Sequence, residues 1–152
     1  VEKLKQEIED NRRSDKLTFY NENAQNKTPK IEERCRDIIL QRLESRYREV
    51  YDFTKELYEG ENRVDINIRY LKDLSFEVQI ECKRDDNDNL YIGIENQLIK
   101  KYFSSGVNYG LYIIFYFRIK KNKKLMLEKV KKSLPSGFEN KIKIYCIDLT
   151  IE

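Results

Sequence analysis

Ser75-Phe76-Glu77-Val78-Gln79-Ile80-Glu81-Cys82-Lys83 alternates apolar and polar side chains along its whole length. Phe76, Val78, Ile80 and Cys82 fall on one side; Glu77, Gln79, Glu81 and Lys83 fall on the other. A period of two belongs to a half-buried β-strand. Alternate residues of a strand project from the same face, so Glu81 and Lys83 stand side by side. An acid and an amine held together near a strand end can bind a hard cation and orient a water. A solvent-facing Glu-Lys pair is the ordinary alternative, and the surrounding chain has to decide between them.

Upstream, Arg63–Tyr70 alternates in the same way, with Val64, Ile66, Ile68 and Tyr70 against Arg63, Asp65, Asn67 and Arg69. Phe53–Tyr58 reads as a short strand, and Glu59-Gly60-Glu61-Asn62 as a turn for which Gly60 supplies a permissive backbone. The three strands are predicted to form an antiparallel meander with tight connections. With their apolar sides on one core, Asp65 shares a face with Glu81 and Lys83. Asp, Glu, Lys and Asn are disfavoured in strands, so either solvent or a functional site has to account for this clustering.

A helix is predicted from Pro29 to Tyr47, capped by Thr28, with Pro29 in its first turn. Its apolar stripe is Ile31, Cys35, Ile38, Ile39 and Leu43. Glu32 and Glu33 lie where acids favour the helix dipole; Glu32 also borders the stripe and can reach inward. The polar loop Arg84–Asn89 lacks the glycine and the closing glutamate of a calcium loop. Asn87, Asp88 or Asn89 is expected to cap a helix over Leu90–Phe103, striped by Tyr91, Ile94, Leu98 and Tyr102, with Gln97 facing the same way as Lys101. Leu111–Phe117 is apolar throughout and reads as a central strand covered on both sides. A basic turn, a short helix over Leu125–Ser133 and a last strand over Lys141–Leu149 follow. Val1 to Asp15 carries the thin stripe Val1, Leu4, Ile8 of a peripheral helix or connector, and Asn21–Lys30 reads as a linker. The predicted organisation is therefore an N-terminal helical segment and linker over 1–28, then one domain over 29–152.

Composition narrows the chemistry. The 152 residues contain 30 basic and 27 acidic side chains, a net +3, which does not by itself point to a polyanionic partner. The chain has no histidine, which excludes His triads, Cys-His dyads and His-ligated metals. Carboxylates, Lys, Tyr, Cys or an oxygen-held cation must carry any catalysis. Cys35, Cys82 and Cys146 are odd in number and form no C-x-x-C, which argues against a zinc or redox motif and for a reducing, cytoplasmic compartment. No signal peptide is expected, and no apolar run in this sequence is long enough to span a membrane. The absence of an initiator methionine leads us to expect a fragment of a larger polypeptide.

The predicted order is αβββαβ with an additional C-terminal αβ, an α/β chain of the mixed-sheet, α+β type. Onto it fall an acid on the first helix, an aspartate on the second strand, Glu-x-Lys on the third and a glutamine on the next helix. In this combination residues 29–117 resemble the PD-(D/E)XK nuclease superfamily, the restriction-endonuclease-like fold. The likeness is closest to a bacterial group marked by Pro-Lys-x-Glu, Arg-x-Asp, Glu-x-Lys, Gln-Leu and Gly-aliphatic-Tyr. Here these read Pro29-Lys30-Ile31-Glu32, Arg63-Val64-Asp65, Glu81-Cys82-Lys83, Gln97-Leu98 and Gly110-Leu111-Tyr112. Val64 stands in place of the proline before the aspartate, a proline often absent in the superfamily.

The resemblance implies metal ligands at Asp65 and Glu81, an active-site lysine at Lys83, a helical acid at Glu32 and a helical glutamine at Gln97. It implies phosphodiester hydrolysis with Mg2+ or Mn2+, on nucleic acid and on DNA before RNA. It also implies a place at one end of a large bacterial, phage-defence protein, with the rest of that polypeptide or a second copy as partner. Mg2+ is typically held by one or two carboxylates, and the backbone carbonyl of Cys82 is a further candidate ligand. Beside a cation, Lys83 is pushed towards the neutral amine; it then acts as a base or, as an ammonium, stabilises the transition state. Lys100, Lys101, Lys120 and Lys121 belong to two basic clusters, of which one is expected to touch the phosphate backbone without reading bases. The alternative is a catalytically inactive nucleic-acid-binding or interaction module with the same fold.

Overall fold

The alternating stretch lies in β3 (Asp73–Arg84), the middle strand of a five-stranded mixed sheet. The computed structural model describes residues 1–10, 13–22, 27–59, 62–103, 106–119 and 122–151, without the side chains of 13–14, 56–59, 62–64 and 101–102. The other strands are β1 (Tyr51–Glu59), β2 (Asn62–Tyr70), β4 (Tyr109–Tyr116) and β5 (Ile142–Asp148), in spatial order β1-β2-β3-β4-β5. β1, β2 and β3 pair antiparallel as the expected meander, whereas β4 runs parallel to β3 and β5 parallel to β4. Parallel neighbours require crossovers. A π-helix (Ile94–Tyr102) lies in the first crossover and the helix Lys123–Lys132 in the second. Before the sheet come α1 (Glu2–Asp10), α2 (Arg13–Leu17) and α3 (Glu32–Tyr47); the helix Lys123–Lys132 is α4. The result is the mixed-sheet, α+β architecture anticipated from the sequence.

Core packs on both faces of the sheet. On one, Cys35, Ile39 and Leu43 of α3 bury Ile66, Ile80, Cys82, Ile113 and Phe115. On the other, Ile94 and Leu98 of the π-helix and Met126 and Val130 of α4 bury Tyr112, Ile114 and Cys146. The uniformly apolar β4 is thus covered on both sides, with each fully buried aliphatic side chain contributing roughly 1.5–3 kcal/mol.

Several local expectations give way to tertiary contacts. The α1 stripe is not peripheral: Leu4 and Ile8 are 2% and 0% exposed and share a core with Ile147 and Leu149. Phe19 and Tyr20 join them, and the Tyr20 hydroxyl donates to the Leu149 carbonyl at 2.7 Å. Thr28 and Pro29 do not open α3, which starts at Glu32 behind an extended Ile31 with no side-chain cap. The Thr28 hydroxyl instead accepts from Asn21 Nδ2 at 3.0 Å, and Pro29 forms an antiparallel bridge with Tyr20. The ends of the segment read as a linker are therefore zipped together.

The helix expected from Leu90 also starts late. Asn87 Oδ1 accepts the Asn89 N–H at 2.8 Å, residues 88–92 are turn, and regular winding begins at Ile94. That winding is π: the closing N–H of Phe103 reaches back to the Leu98 carbonyl. Such helices are rare and recur at functional sites. Asp85, read as a polar loop residue, is 0% exposed. Its carboxylate accepts from the N–H groups of Phe117 (3.3 Å) and Ile119 (2.8 Å). These bonds clamp a turn in which Arg118 adopts φ 69°, a left-handed conformation uncommon outside glycine.

All three cysteines are free and buried. Among the described residues no helix is long and apolar enough to cross a membrane.

Asp148 accepts from Lys123 Nζ at 2.7 Å and from the Thr150 N–H and hydroxyl. Burial works against its charge, but these donors outweigh burial and hold its pKa below the ordinary 3.8. The folded value lies below the unfolded one, so this stabilisation is present above pH 3.8 and lost as pH falls through the folded value. Asp148→Asn is expected to destabilise the protein at neutral pH by about 0.5–1 kcal/mol, after screening of this partly exposed pair. Urea midpoints should show the variant and wild type converging as pH drops below 3.8. A gap constant with pH would remove the Asp148 charge from the account.

Candidate active site

The site forms where β2 and β3 part. Their register runs to Ile66↔Ile80, and the next residues, Asp65 and Glu81, lie on the same face as the alternation predicts. At this level a side chain replaces a ladder carbonyl: Asp65 Oδ2 accepts the Cys82 N–H at 2.8 Å. Asp65 Oδ1 accepts from Arg36 Nη1 of α3 at 3.1 Å. Both carboxylate oxygens are thus fixed, one by β3 and one by the helix.

The polar face of β3 is not wet. Burial rises along the strand until both faces are covered, with Gln79, Glu81 and Lys83 only 0%, 2% and 5% exposed. The ordinary reading of a solvated Glu-Lys pair fails on these values. Charges this buried need partners. Lys83 Nζ is hydrogen-bonded to the Glu81 carboxylate and lies 3.5 Å from Glu32 Oε1. Burial lowers the Lys83 pKa, but the Glu81 and Glu32 charges outweigh it and hold the amine above its ordinary 10.5. Lys83 is therefore an ammonium in this arrangement.

Glu32 does not point into bulk solvent. As the first residue of α3 it turns its Oε2 to the Arg84 N–H and to Asn87 Nδ2, both at 2.8 Å. These bonds dock the uncapped start of α3 onto the end of β3. Gln97 enters from the π-helix, and its Oε1 is buried with no hydrogen-bond partner among the described residues. Glu32, Asp65, Glu81, Lys83 and Gln97, with Glu33 and Arg36, line one cavity of about 200 Å³.

Tyr112 is the register partner of Glu81 on β4. Its hydroxyl donates to the Leu90 carbonyl at 2.8 Å, and burial, with the Glu81 and Glu32 charges, holds the phenol well above its usual pKa. A Cβ at Gly93 would lie 2.6 Å from that hydroxyl, so only glycine lets the chain approach here. The thiols take no nucleophilic part: burial pushes Cys82 up strongly and Cys35 and Cys146 up to about 12, so none is a thiolate.

Asp65 and Glu81 suit Mg2+ or Mn2+ in donor type and number, since such ions take one or two carboxylates and keep several waters. Among the described residues no group of three or more Cys, Asp or Glu side chains is arranged to hold a metal ion. In this arrangement each of the two carboxylates engages an internal cation, Arg36 or Lys83. Of the candidate phosphate-binding lysines, Lys100 is exposed and lies 2.9 Å from Glu95 and 3.0 Å from Asn96 Oδ1. Lys120, Lys121 and the Lys101 side chain lie outside the described residues.

Sequence reasoning passed over Arg36, 2% exposed, although it follows Glu32 by one helical turn and so shares its face. It also passed over Asn67 and Gln79, opposite one another in the β2–β3 register and 1% and 0% exposed. The signal for both was already present in the polar half of each alternating strand.

A family model described as "Domain of unknown function (DUF8371)" matches residues 1–119, and the chain belongs to that family. The match runs from α1 past β4 and includes every residue of the cavity. None of the curated proteins matches the chain.

Among the described residues, none of the four amide oxygen and nitrogen atoms of Asn67 and Gln79 has a hydrogen-bond partner. A buried, unsatisfied polar group costs about 1–3 kcal/mol. Asn67→Leu combined with Gln79→Met is therefore expected to raise stability by about 1–3 kcal/mol, read from urea unfolding. A comparable loss would show that the amides are paired in the folded protein.

Proposed function

We propose that this chain is a divalent-metal-dependent nuclease domain of the PD-(D/E)XK kind. It hydrolyses phosphodiester bonds of nucleic acid, DNA before RNA, without strong sequence preference, as the cytoplasmic effector part of a bacterial defence protein. One observation supports the reading above all others. Glu32, Asp65, Glu81, Lys83 and Gln97, scattered over α3, β2, β3 and the π-helix, line a single cavity.

Asp65 and Glu81, with the Cys82 carbonyl, would hold Mg2+ or Mn2+. When bound, the ion neutralises charge developing on the phosphate and makes water a better nucleophile. The chain's own groups do the rest. Lys83, held between Glu81 and Glu32, presents an ammonium to negative charge that grows in the transition state. Glu32 aims that ammonium, because its other oxygen is locked by Arg84 and Asn87. The Oε1 of Gln97, without a hydrogen-bond partner among the described residues, can accept a hydrogen bond from the attacking water and orient it. Tyr112, beside Glu81 in the β3–β4 register, stays a neutral phenol.

A second reading, a non-catalytic nucleic-acid-binding or interaction module on the same scaffold, draws on one fact: Asp65 and Glu81 are already neutralised by Arg36 and Lys83. Plasmid DNA and RNA incubated with the protein, with and without Mg2+ or Mn2+, separate the two. Divalent-dependent loss of substrate supports the nuclease; binding without cleavage supports the module; neither leaves both readings without substance.

Lys83→Ala is an unsuitable probe, because it strands a buried Glu81 at a cost of about 3–5 kcal/mol. Lys83→Arg keeps the charge but not the reach, and should lower cleavage by ~10²–10⁴ while the protein stays folded by circular dichroism. Asp65→Asn keeps an acceptor for the Cys82 N–H; it should also stop cleavage, with partial recovery in excess Mn2+. Wild-type rates in both variants would sink the assignment.

A further inference from the structure

Arg36 has no part in the machinery described so far, yet it lines the cavity while being 2% exposed. Its Nη1 is 3.1 Å from Asp65 Oδ1, and its Nη2 is 3.6 Å from Asp37 Oδ1. The other Asp65 oxygen is taken by the Cys82 N–H. Of the other acids at the cavity, Glu81 and Glu32 are both answered by Lys83. The guanidinium therefore sits on the one Asp65 oxygen that remains for a metal.

A divalent cation at Asp65 brings two positive charges next to this group. A lysine could respond by losing its proton, but a guanidinium cannot. Arg36 must share the oxygen or turn away from it. A buried guanidinium turned from its carboxylate needs another anion nearby, since an uncompensated buried charge is strongly unfavourable. The substrate of a nuclease brings one. A phosphodiester offers two oxygens, and the planar fork of arginine matches them in bidentate fashion. Asp37 stays beside Nη2 and keeps the side chain anchored at the cavity.

We propose that Arg36 is a phosphate-binding residue that is parked on Asp65 until a metal arrives. Without metal it neutralises Asp65. With metal and nucleic acid present, it pairs with a phosphate oxygen of the substrate. The inference rests on the nuclease reading and deepens it, because it names a substrate ligand and couples the two binding steps. Metal releases Arg36 for substrate, and substrate removes the cation that opposes metal; such coupling is reciprocal.

The test uses the whole chain and two non-catalytic readouts. Mn2+ binding is measured by titration calorimetry, and binding of a duplex oligonucleotide by fluorescence anisotropy, with and without Ca2+. Wild type should bind the duplex more tightly in Ca2+. Arg36→Gln should bind Mn2+ alone about tenfold more tightly, as loss of one opposing charge at close range predicts. Its duplex affinity without a divalent ion should match wild type, and the tightening by Ca2+ should disappear. If Arg36→Gln does not fold by circular dichroism, Arg36→Lys carries the test. It should lose most of the tightening, because an amine cannot fork onto phosphate. A folded variant with unchanged Mn2+ affinity and undiminished tightening overturns the proposal and leaves Arg36 a structural counter-ion. If that variant accompanies a wild type that cleaves, only this inference falls. If wild type neither binds Mn2+ nor cleaves, the nuclease reading falls and takes this inference with it.

Discussion

Lys83, 5% exposed, lies between the carboxylates of Glu81 and Glu32. Two acids and an amine so close together and so little exposed survive only as a mutually satisfied group. That constraint ties three parts of the chain together. Glu81 and Lys83 set the end of β3; Glu32 brings the start of α3 to it and completes the junction through Arg84 and Asn87. α3 consequently needs no side-chain cap of its own, because the tertiary contact holds its first turn. Asp65 and Arg36 form a parallel pair one strand away, linked to the first by the Cys82 N–H.

The sheet order follows from what must lie over these charges. β4 and β5, parallel to β3, require crossovers, and the first of these carries the π-helix across the polar side. Its Ile94 and Leu98 bury Tyr112 and Ile114, while Gln97 turns to the cavity. Gly93 lets the chain approach Tyr112 closely, so the buried hydroxyl finds the Leu90 carbonyl. Close by, Asn67 and Gln79 are buried with no hydrogen-bond partner for their amides among the described residues.

The meander was legible because strand alternation is a local property. Val64, Ile66 and Ile68 against Asp65 and Asn67, repeated in Val78, Ile80 and Cys82 against Gln79 and Glu81, specify faces whatever lies beyond them. β4 announced its own burial through an unbroken apolar run. Helix starts were less legible. Thr28 and Asn87 are good caps by type, but Asn21 and Asn89 claim their side chains, and neither contact follows from helical periodicity. The two buried positions of the α1 stripe, Leu4 and Ile8, looked too few for a core helix, yet β5 supplies the partner surface from the far end of the chain.

By itself the sequence determined which side chains share a face, and hence that Asp65, Glu81 and Lys83 point the same way while Glu32 borders a buried stripe. Covalent geometry sets that, with periods of two and of about 3.6 residues. Only the tertiary structure decided whether the shared polar face is wet or dry, and that Arg36 is drawn into it. Burial depends on what is laid over a strand, and the π-helix and the first turn of α3 reach β3 from elsewhere in the chain. Once both cover it, unpaired charge becomes too costly, and each carboxylate takes the nearest cation that the fold brings within reach.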